Sequence, residues 1–442
     1  MLKVLKFGGS SLADGSQFAK VKNIVESDPS REVVVVSAPG KRDSDDNKIT
    51  DLLYLIRAHI KYGVSHEGVL EMIRSRYVGI KDECGLSTDI GKLVDETFAD
   101  INKETSEDYI VSRGEYFNAI LMAEYLGFKF VDATEWLMFD YDGKVNNQKS
   151  EAKLKELKDI YGKIVTPGFY GIMPGGEVRT FPRGGSDITG ALAAAFLDAD
   201  IYENWTDVSG ILMVDPRIVK NPKTIARVTY DELRELSYMG ASVLHEDTVF
   251  PVRSKDIPVN IRNTNEPDNP GTIIRENFDE ILEEEKSDRF ITGIAGKRHF
   301  SIINVYKSRI GEAKLGLLRH VLAVFDRYDI PVEQIPSGVD SFSVVFPSNN
   351  LKMKKHELMH ELADFDGIDS CSLTEGISLI AIVSRTMAYK TGMSGRIFTA
   401  LGDNNINIRT IQQGADEINI MVGVFDEDFE RAIQVLYDKF SL

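Results

Sequence analysis

The sequence predicts an α/β protein: a large domain of mainly parallel sheet between two helical layers, followed by a paired α+β module. Three observations support this prediction. Short apolar runs alternate with longer helical patterns over the first two thirds of the chain. The valines at residues 33–36 show no polar alternation, as expected of a strand covered on both faces. Beyond residue 290 the chain repeats itself weakly, which indicates two copies of one small unit.

The elements of the large domain follow from the positions of these runs. The predicted strands are residues 2–7, 32–37, 129–132, 163–166 and 201–205. The predicted helices are residues 50–62, 116–126 and 188–197. Strands that alternate with helices form parallel sheets, because each helical crossover returns the chain to the end of the sheet where the previous strand began.

An acidic segment separates the large domain from the repeated region. Residues 276–289 contain seven acidic and two basic residues, a local balance of −5. This is typical of a solvated helix or linker, and a dedicated cation site is the alternative. After it, residues 320–330 align with residues 396–406 at an offset of 76. Each copy is predicted to hold a helix, a turn and two strands, and a module of this size more often binds a small molecule or a partner than performs chemistry.

The composition argues against several classes of function. The 442 residues include 69 acidic and 52 basic side chains, a formal net charge of −17, so neither nucleic acid nor a membrane surface is an expected partner. Two cysteines, Cys84 and Cys371, are too few for a disulfide framework or a four-thiolate zinc site. No apolar run approaches the roughly 18 residues of a membrane span, and the N-terminus carries no apolar signal segment. We therefore expect a cytoplasmic protein.

A glycine-rich loop follows the first predicted strand. In KFGGSS (residues 6–11) the glycines let a ligand approach the backbone, and consecutive N–H groups can point at phosphate oxygens. Lys6, at the end of the strand, adds a full positive charge. A simple tight turn is the alternative to a phosphate site.

A second glycine-rich loop, RGGSD (residues 183–187), runs directly into a predicted helix. The free N–H groups of that helix attract an anion, and Ser186 or Asp187 is the predicted N-cap. Arg183 adds a fork for a carboxylate or phosphate, and a capped helix with a surface arginine is the alternative. The motifs of Walker-type NTPases and of eukaryotic-type protein kinases are absent, and no dinucleotide fingerprint follows the first strand.

One further motif match is expected to be accidental. His356, Glu357 and His360 fit the HExxH pattern of zinc proteases. The match lies in the repeated region, on a predicted amphipathic helix over residues 351–365, and no third ligand is evident. We therefore predict no metal site formed by protein side chains.

Five segments, in sequence order, resemble the motifs of the aspartate kinases, which belong to the amino-acid kinase superfamily and carry a tandem ACT regulatory region. They are KFGGSS (6–11), SRGE (112–115), RGGSD (183–187), WTDVSGILMVDPR (205–217) and GASVLH (240–245). The likeness spans essentially the whole chain. It implies an amino-acid-kinase-like, three-layer αβα catalytic domain over residues 1–285 and a regulatory region over residues 286–442. The implied ferredoxin-like ACT domains are the first at about 299–370 and the second formed by about 288–298 and 375–442.

The resemblance also implies an activity and a set of site residues. The activity is ATP- and Mg²⁺-dependent phosphorylation of the β-carboxylate of L-aspartate, the first step of lysine, threonine and methionine synthesis. The residues implied for ATP are Lys6, Gly8, Gly9, Ser10, Thr206, Asp207, Arg217 and Ser242. Those implied for aspartate are Ser37, Thr50, Glu115, Phe169, Arg183 and Ser186, and those implied for catalysis are Lys6 and Asp187.

Phosphoryl transfer to a carboxylate suits these residue types. The acceptor is ionised at neutral pH, since its ordinary pKa is about 3.9, so the reaction needs charge neutralisation and in-line positioning instead of a general base. Lys6, Mg²⁺ and loop amides would neutralise the phosphoryl group, while Arg183 and Glu115 would hold the α-carboxylate and the α-ammonium. Ser242 departs from the family, which carries a phosphate-binding lysine there. We therefore expect Lys6→Ala to cost far more activity than Ser242→Ala.

Feedback regulation is implied by the ACT region. The candidate effector residues are Ser308, Glu333, Ser337 and Asp340. The carboxylates of Glu333 and Asp340 would neutralise the ε-ammonium of lysine, so lysine is the first expected effector and threonine the second; ordinary surface turns are the alternative. A homodimer or higher homo-oligomer through the ACT domains is also implied.

Two other functions remain open at this point. One is a different amino-acid kinase of the glutamate type, which SRGE (112–115) and the repeated C-terminal region disfavour. The other is a catalytically weak amino-acid sensor, supported only by Ser242.

Overall fold

A computed structural model describes residues 1–182, 184–241, 246–308, 314–351, 354–365, 367–414 and 416–441. Two of the predicted site residues, Arg183 and Ser242, lie outside the described residues. The chain forms two compact units. They are a first unit of Met1–Ile211, Thr224–Tyr230 and Val243–Asn277 and a second unit of Leu212–Lys223, Asp231–Ser242 and Phe278–Leu442.

The strands and helices are numbered in chain order through both units. The strands are β1 (Lys3–Phe7), β2 (Arg31–Val36), β3 (Lys129–Phe130), β4 (Ile164–Pro167), β5 (Tyr170–Ile172), β6 (Val178–Thr180), β7 (Ile201–Thr206), β8 (Arg227–Thr229), β9 (Val259–Asn263), β10 (Thr272–Arg275), β11 (Gly293–Tyr306), β12 (Ser341–Pro347), β13 (Ser370–Val383), β14 (Thr410–Gln413) and β15 (Asn419–Phe425). The helices are α1 (Gly15–Glu26), α2 (Ile49–Tyr62), α3 (Glu67–Cys84), α4 (Ile90–Ala99), α5 (Glu107–Leu126), α6 (Ala133–Trp136), α7 (Asn147–Tyr161), α8 (Gly185–Phe196), α9 (Tyr230–Tyr238), α10 (Glu246–Arg253), α11 (Glu283–Lys286), α12 (Lys314–Arg327), α13 (Lys355–Ala363), α14 (Met393–Asp403) and α15 (Phe429–Phe440).

The first unit is built on an eight-stranded sheet with the order β3-β4-β2-β1-β7-β9-β10-β8. All neighbouring strands pair in parallel except β9 and β10, which are antiparallel. The valines of β2 that lack polar alternation are 0% exposed, as strands covered on both faces require. The predicted α/β class with a mainly parallel sheet is confirmed.

Alternate residues of β1 face two different helical layers. Leu5 and Phe7 belong to a core cluster with residues of α1 to α5. The side chain of Lys6 leaves the opposite face, where α8 packs against β1 and β2. This alternation places one cation on the α8 side of an otherwise apolar strand.

The loops predicted to bind ligands lie at one edge of the sheet. Because β1, β2, β4 and β7 are parallel, their carboxyl ends lie at the same edge. Gly8, Ser37, Gly168 and Asp207 are the residues that follow these four ends. In open α/β sheets ligands bind at this edge, where successive connections diverge.

The second unit contains a five-stranded antiparallel sheet with the order β12-β11-β13-β15-β14. β11 and β13 pair so that the first half of each lies beside the second half of the other. The repeat predicted from sequence falls on α12 and α14, and its apolar positions Val321, Phe325, Ile397 and Leu401 are buried. The predicted α+β class of this region is confirmed, and its sheet is antiparallel.

The two copies differ in the strand that follows each helix. In the second copy this strand is β14, which pairs with β15. In the first copy it is reduced to isolated bridges, Gln334 with Val345 and Ser337 with Phe342. The strand predicted there is therefore only partly formed.

Helix α9 belongs to the second unit through buried ion pairs. The carboxylate of Glu232 is fully buried and pairs with Arg385 Nη1 at 3.0 Å, while Thr292 Oγ1 donates to it at 2.5 Å. Arg385 also pairs with the buried Glu285 of α11. A buried carboxylate is tolerated only with such partners, so this network fixes α9 against the strands of the second unit.

Several predicted boundaries move in the structure. α5 begins nine residues earlier than the predicted helix over 116–126, because its first half buries polar side chains that hide the apolar pattern. α13 is shorter than the predicted helix over residues 351–365. No helix in the described part of the chain is long and apolar enough to cross a membrane.

Candidate active site

Lys6 and Asp187 form an ion pair at the carboxyl edge of the sheet. Lys6 Nζ lies 2.8 Å from Asp187 Oδ1, and Asn204 Nδ2 donates to the same oxygen at 2.9 Å. Lys6 and Asn204 are register partners on β1 and β7, so their side chains leave the same face of the sheet. The arrangement fixes one buried ammonium beside the N-terminus of α8.

The N-terminus of α8 is open to an anion. Its first intrahelical bond runs from the N–H of Ile188 to the carbonyl of Gly184 at 3.0 Å. Among the described residues, the amides of Gly185, Ser186 and Asp187 have no backbone acceptor. Such free N–H groups, together with the helix dipole, favour phosphate or carboxylate.

The predicted N-cap of α8 is wrong. Gly184 is the cap, with φ at 75°, and no side chain caps the helix. The chain enters the helix through a left-handed turn that glycine adopts without strain. Ser186 and Asp187 consequently lie in the first turn, where Asp187 is committed to Lys6.

The loop after β1 leaves donors for phosphate. The N–H of Gly8 donates to the carbonyl of Trp205 at 2.9 Å, which ties the loop to β7. The amides of Gly9 and Ser10 have no backbone acceptor among the described residues. Together with Lys6, at the end of β1, these two amides form a small cationic cradle.

Gly9 is interlocked with Gly40, in the loop after β2. The N–H of Gly40 donates to the carbonyl of Gly9 at 2.8 Å. A Cβ on Gly9 would lie 2.8 Å from the carbonyl oxygen of Ala38, and a Cβ on Gly40 would lie 2.7 Å from the carbonyl carbon of Gly9. Only glycine fits at both positions, so the two loops hold one another.

Gly9→Ala is expected to lower kcat at least tenfold and to destabilise the protein by about 1–3 kcal/mol, the usual cost of overpacking. The clash is with backbone atoms, which cannot move aside without displacing the loop. Thermal unfolding and initial rates measure the two effects. Gly68→Ala on α3 is the matched control, because a Cβ there meets no atom within 4 Å. Equal effects of the two substitutions would contradict the interlocking.

Glu115 is a buried carboxyl on α5 with one vacant oxygen. It is 4% exposed, and the N–H of Ala38 donates to its Oε1 at 3.1 Å. Its Oε2 is buried and has no hydrogen-bond partner among the described residues. Burial raises the pKa of Glu115 to about 8, only partly offset by the Ala38 hydrogen bond. A carboxyl in this state is suited to receive a cation from a ligand.

Asn118, one turn after Glu115, braces the end of β2. Its Nδ2 donates to the carbonyl of Ser37 at 2.7 Å, and its buried Oδ1 finds no hydrogen-bond partner in the described part of the chain. The N–H of Ser37 donates to the carbonyl of Phe7 at 3.2 Å. Ser37 is therefore held between β1 and α5 at the same edge as Lys6.

Thr50 lies in the first turn of α2, close to the same loop. The N–H of Ile49 donates to the carbonyl of Pro39 at 3.3 Å, which joins the start of α2 to the residues after β2. Gly114, next to Glu115, lets α5 approach closely, since a Cβ there would lie 2.8 Å from Ala38 Cβ. The segments that carry Ser37, Thr50 and Glu115 thus meet around Ala38 and Pro39.

Phe169, after β4, adopts a strained backbone. Its φ of 80° is rare for a residue with a bulky side chain. Its N–H donates to Thr189 Oγ1 at 3.0 Å and its carbonyl accepts from Phe181 at 2.8 Å, which fixes the conformation. Its ring occupies the space over Gly185, where a Cβ would lie 2.6 Å away. The ring is therefore fixed against the first turn of α8.

The predicted nucleotide residues outside the KFGGSS loop fall in both units. Thr206 and Asp207 lie at the carboxyl end of β7, with Thr206 Oγ1 donating to Asp207 Oδ1 at 3.2 Å. Arg217 lies in the second unit, is exposed, and pairs with Asp215 at 2.6 Å. Ser242 and Arg183 lie outside the described residues.

The structure adds residues that the sequence reasoning did not select. Asn204 orients Asp187, Asn118 braces Ser37, and Thr189 fixes Phe169. Asn204 is one of three polar residues in β7, and only the structure shows that it stands in register with Lys6. Asn118 and Thr189 sit on helices, where sequence alone does not reveal the contact.

The predicted effector residues lie in the second unit. The N–H of Ser308 donates to Asp369 Oδ2 at 2.7 Å, and the N–H of Lys307 donates to the carbonyl of Asp340 at 2.9 Å. Glu333 accepts from the hydroxyl of Tyr238 at 2.9 Å. The end of β11 and the start of β12 thus bring Ser308 and Asp340 close, and Ser337 bridges to β12.

The HExxH match lies on α13. His356 and His360 line an open depression of about 620 Å³, and His360 Nδ1 lies 3.1 Å from Asp364 Oδ2. Within the described ranges, no group of three His, Cys, Asp or Glu side chains is arranged to hold a metal ion.

The geometry and the sequence relatives agree on the class of protein. Residues 1–263 match the family model of the amino acid kinase family, and residues 380–440 match an ACT domain. The fold and the sheet-edge site therefore define an amino-acid kinase that carries an ACT region.

Full-length relatives narrow the family. Aspartokinase 3 of Bacillus subtilis is 35% identical over 454 residues, covering 99% of this chain and 98% of its own. The crystal structure of Clostridium acetobutylicum aspartate kinase is 45% identical with a TM-score of 0.90, covering 99% of both chains. E. coli aspartokinase III, solved with lysine and aspartate, is 26% identical with a TM-score of 0.73, covering 99% of both chains. The chain belongs to the aspartokinase family.

Proposed function

We propose that the protein is an ATP:L-aspartate 4-phosphotransferase whose site is the carboxyl edge around Lys6, Asp187 and Glu115. The observation that carries the proposal is the vacant Oε2 of Glu115, a buried acceptor at the same edge as a fixed ammonium. One end of the site suits a cation and the other suits anions. A zwitterionic acceptor and an anionic phosphate donor match that polarity.

Lys6 and the loop amides would bind the transferring phosphate. Its charge is held in place before the substrates arrive, so no reorganisation is required when negative charge develops in the transition state. Asp187 and Asn204 orient the ammonium and keep it at the sheet edge. Thr206 and Asp207 are proposed to contact the nucleotide from the end of β7.

Glu115 would take the α-ammonium of aspartate. Ser37 and Thr50 would hold one substrate carboxylate, and Ser186, in the first turn of α8, would hold the other together with Arg183. Phe169 would form an apolar wall of the pocket. Gripping both α-substituents selects an amino acid over a simple dicarboxylate.

The carboxylates at this edge fit a magnesium ion. Mg²⁺ in kinases is held by one or two carboxylates together with substrate phosphates. Asp187 Oδ2 accepts no hydrogen bond from the described residues, since Lys6 and Asn204 both use Oδ1. Asp207 is a second carboxylate, exposed at the end of β7. When bound, the ion would neutralise phosphate charge in the transition state.

Trapping the product with hydroxylamine tests the proposed activity. Purified protein with ATP and Mg²⁺ is expected to form the hydroxamate with aspartate and not with glutamate. Product with glutamate alone would indicate a glutamate-type kinase, and no product with either would indicate a sensor without activity. Both outcomes would contradict the proposal.

The second unit is proposed to be a tandem ACT region that mediates homodimer formation and feedback inhibition. Its support is the internal repeat, the matched buried positions of α12 and α14, and the reciprocal pairing of β11 with β13. The E. coli relative was solved with lysine, and Glu333 and Asp340 supply carboxylates for an ε-ammonium. Lysine is therefore the proposed effector, with threonine second.

Lysine is expected to inhibit the enzyme, and Asp340→Asn is expected to raise the inhibitory concentration about tenfold, as loss of one charge-assisted contact would. Inhibition curves with lysine and with threonine measure the effect. Asp364→Asn, at the C-cap of α13, is the control, because Asp364 is exposed and pairs with His360. An enzyme indifferent to both amino acids would contradict the regulatory proposal.

A further inference from the structure

Arg76 on α3 closes the loop that follows β2. Its Nη1 donates to the carbonyl of Gly40 at 2.8 Å, and its Nη2 pairs with the carboxylate of Asp46. Asp46 also accepts from the N–H and the Nε of Arg42, each at 2.9 Å. The side chain of Arg76 is 5% exposed. A buried guanidinium thus joins both ends of an otherwise exposed loop.

The carbonyl that Arg76 holds belongs to the residue interlocked with the phosphate loop. Gly40 donates its N–H to Gly9 and accepts Arg76 on its carbonyl, so it links α3 to the cradle beside Lys6. The contacts at Gly9 and Gly40 are backbone contacts with no spare space. A shift of Gly40 must therefore be passed on to Gly9.

Tyr77, the next residue of α3, supports the part of the site that contains Glu115. Tyr77 is fully buried, and its hydroxyl donates to the carbonyl of Gly114 at 2.7 Å. Gly114 precedes Glu115 and packs against Ala38, whose N–H donates to Glu115 Oε1. Tyr77 therefore fixes the backbone that aims the vacant oxygen of Glu115.

We propose that Arg76 and Tyr77 are positioning residues for different substrates. Arg76 supports the loop that binds ATP, and Tyr77 supports the carboxyl group that binds aspartate. α3 carries none of the segments that resemble family motifs, and both side chains are buried and hydrogen-bonded to protein groups. Each acts through one backbone carbonyl, that of Gly40 or that of Gly114. The inference rests on the proposed function of the sheet edge.

The expected result is a split in the kinetic constants between neighbouring residues. Arg76→Met is expected to raise KM for ATP and to lower kcat, each about tenfold, because the phosphate loop loses its support. Tyr77→Phe is expected to raise KM for aspartate about fivefold and to leave KM for ATP within twofold, since one hydrogen bond is lost. Arg76→Lys is expected to lie between wild type and Arg76→Met, because an ammonium lacks the planar fork that spans two acceptors.

Arg74→Met is the matched control. Arg74 lies on the same helix and pairs at the surface with Asp95 at 3.1 Å, so its loss is expected to leave both KM values and kcat within twofold. Thermal unfolding of each variant separates loss of folding from loss of positioning, and Arg76→Lys supplies a readout if Arg76→Met does not fold. Equal changes in both KM values for Arg76 and Tyr77 variants, or wild-type constants in both, would overturn the proposal. Failure of the proposed function would appear differently, as no aspartyl hydroxamate from the wild type.

Discussion

Lys6→Ala is expected to reduce kcat about 1,000-fold, in the range found when one preorganised donor to developing charge is removed. Lys6 is buried on an apolar strand, and its ammonium is fixed by Asp187 at 2.8 Å. Its position therefore needs no adjustment when a phosphoryl group moves toward the acceptor. Initial rates at saturating ATP and aspartate measure the effect, with the hydroxamate as product.

Two comparisons make this result specific. Lys3→Ala removes a lysine from the same strand that pairs with Asp28 at 2.7 Å at the opposite end, and it is expected to keep kcat within a few-fold. Ser242→Ala is expected to cost far less than Lys6→Ala. Equal losses for Lys6 and Ser242 would show that the phosphate site is assigned to the wrong residues.

The position of the site at one edge of the sheet was predictable because parallel strands all end at the same edge. Parallel strands ending at Phe7, Val36 and Thr206 must place their following loops at one edge of the sheet, so KFGGSS and the end of β7 share that edge whatever the strand order. These features depend on local patterns and one topological rule.

The supporting contacts were not predictable in the same way. Arg76 and Tyr77 act through the carbonyls of Gly40 and Gly114, which lie 36 and 37 residues away in the chain. A buried arginine on a helix looks like a surface arginine in sequence, because its partners come from tertiary packing. The first half of α5 was missed for a related reason, since its buried Ser112 and Arg113 interrupt the apolar pattern.

The division of the chain into two units was also only partly predictable from the sequence. The acidic segment over residues 276–289 is the strongest boundary signal in the sequence. Yet Asp231–Ser242 belongs to the second unit, held by the buried pairing of Glu232 with Arg385. A segment that precedes the boundary can therefore pack beyond it, because ion pairs between distant residues leave no local trace.

Glu115→Gln is expected to raise KM for aspartate about 100-fold at pH 8, the scale of losing a buried charge pair with the α-ammonium. The amide keeps the size of the side chain and still accepts from Ala38, so the pocket keeps its shape. KM for ATP is expected to stay within twofold. Glu124→Gln is the control on the same helix, since Glu124 accepts from Ser87 and Thr88 and not from Ala38.

The raised pKa of Glu115 is also expected to make KM for aspartate depend on pH. Burial raises the pKa of Glu115 to about 8, so the empty enzyme holds the carboxyl neutral below that pH. Binding an ammonium requires the ionised form, which becomes more populated as the pH rises. KM for aspartate is therefore expected to fall by up to about tenfold per pH unit between pH 6 and 8 and then to level off.

The raised pKa of Glu115 also makes the stability of the protein depend on pH. The native state keeps a proton on Glu115 up to about pH 8, whereas an unfolded chain releases it near its ordinary pKa of about 4.5. Between these values the native state binds more protons, so the Glu115 contribution to the free energy of unfolding falls as the pH rises. Glu115→Gln is expected to lack this contribution and also to lack the slope in KM for aspartate. A wild-type KM independent of pH from 6 to 8, or a slope that persists in Glu115→Gln, would remove Glu115 as the site of the ammonium.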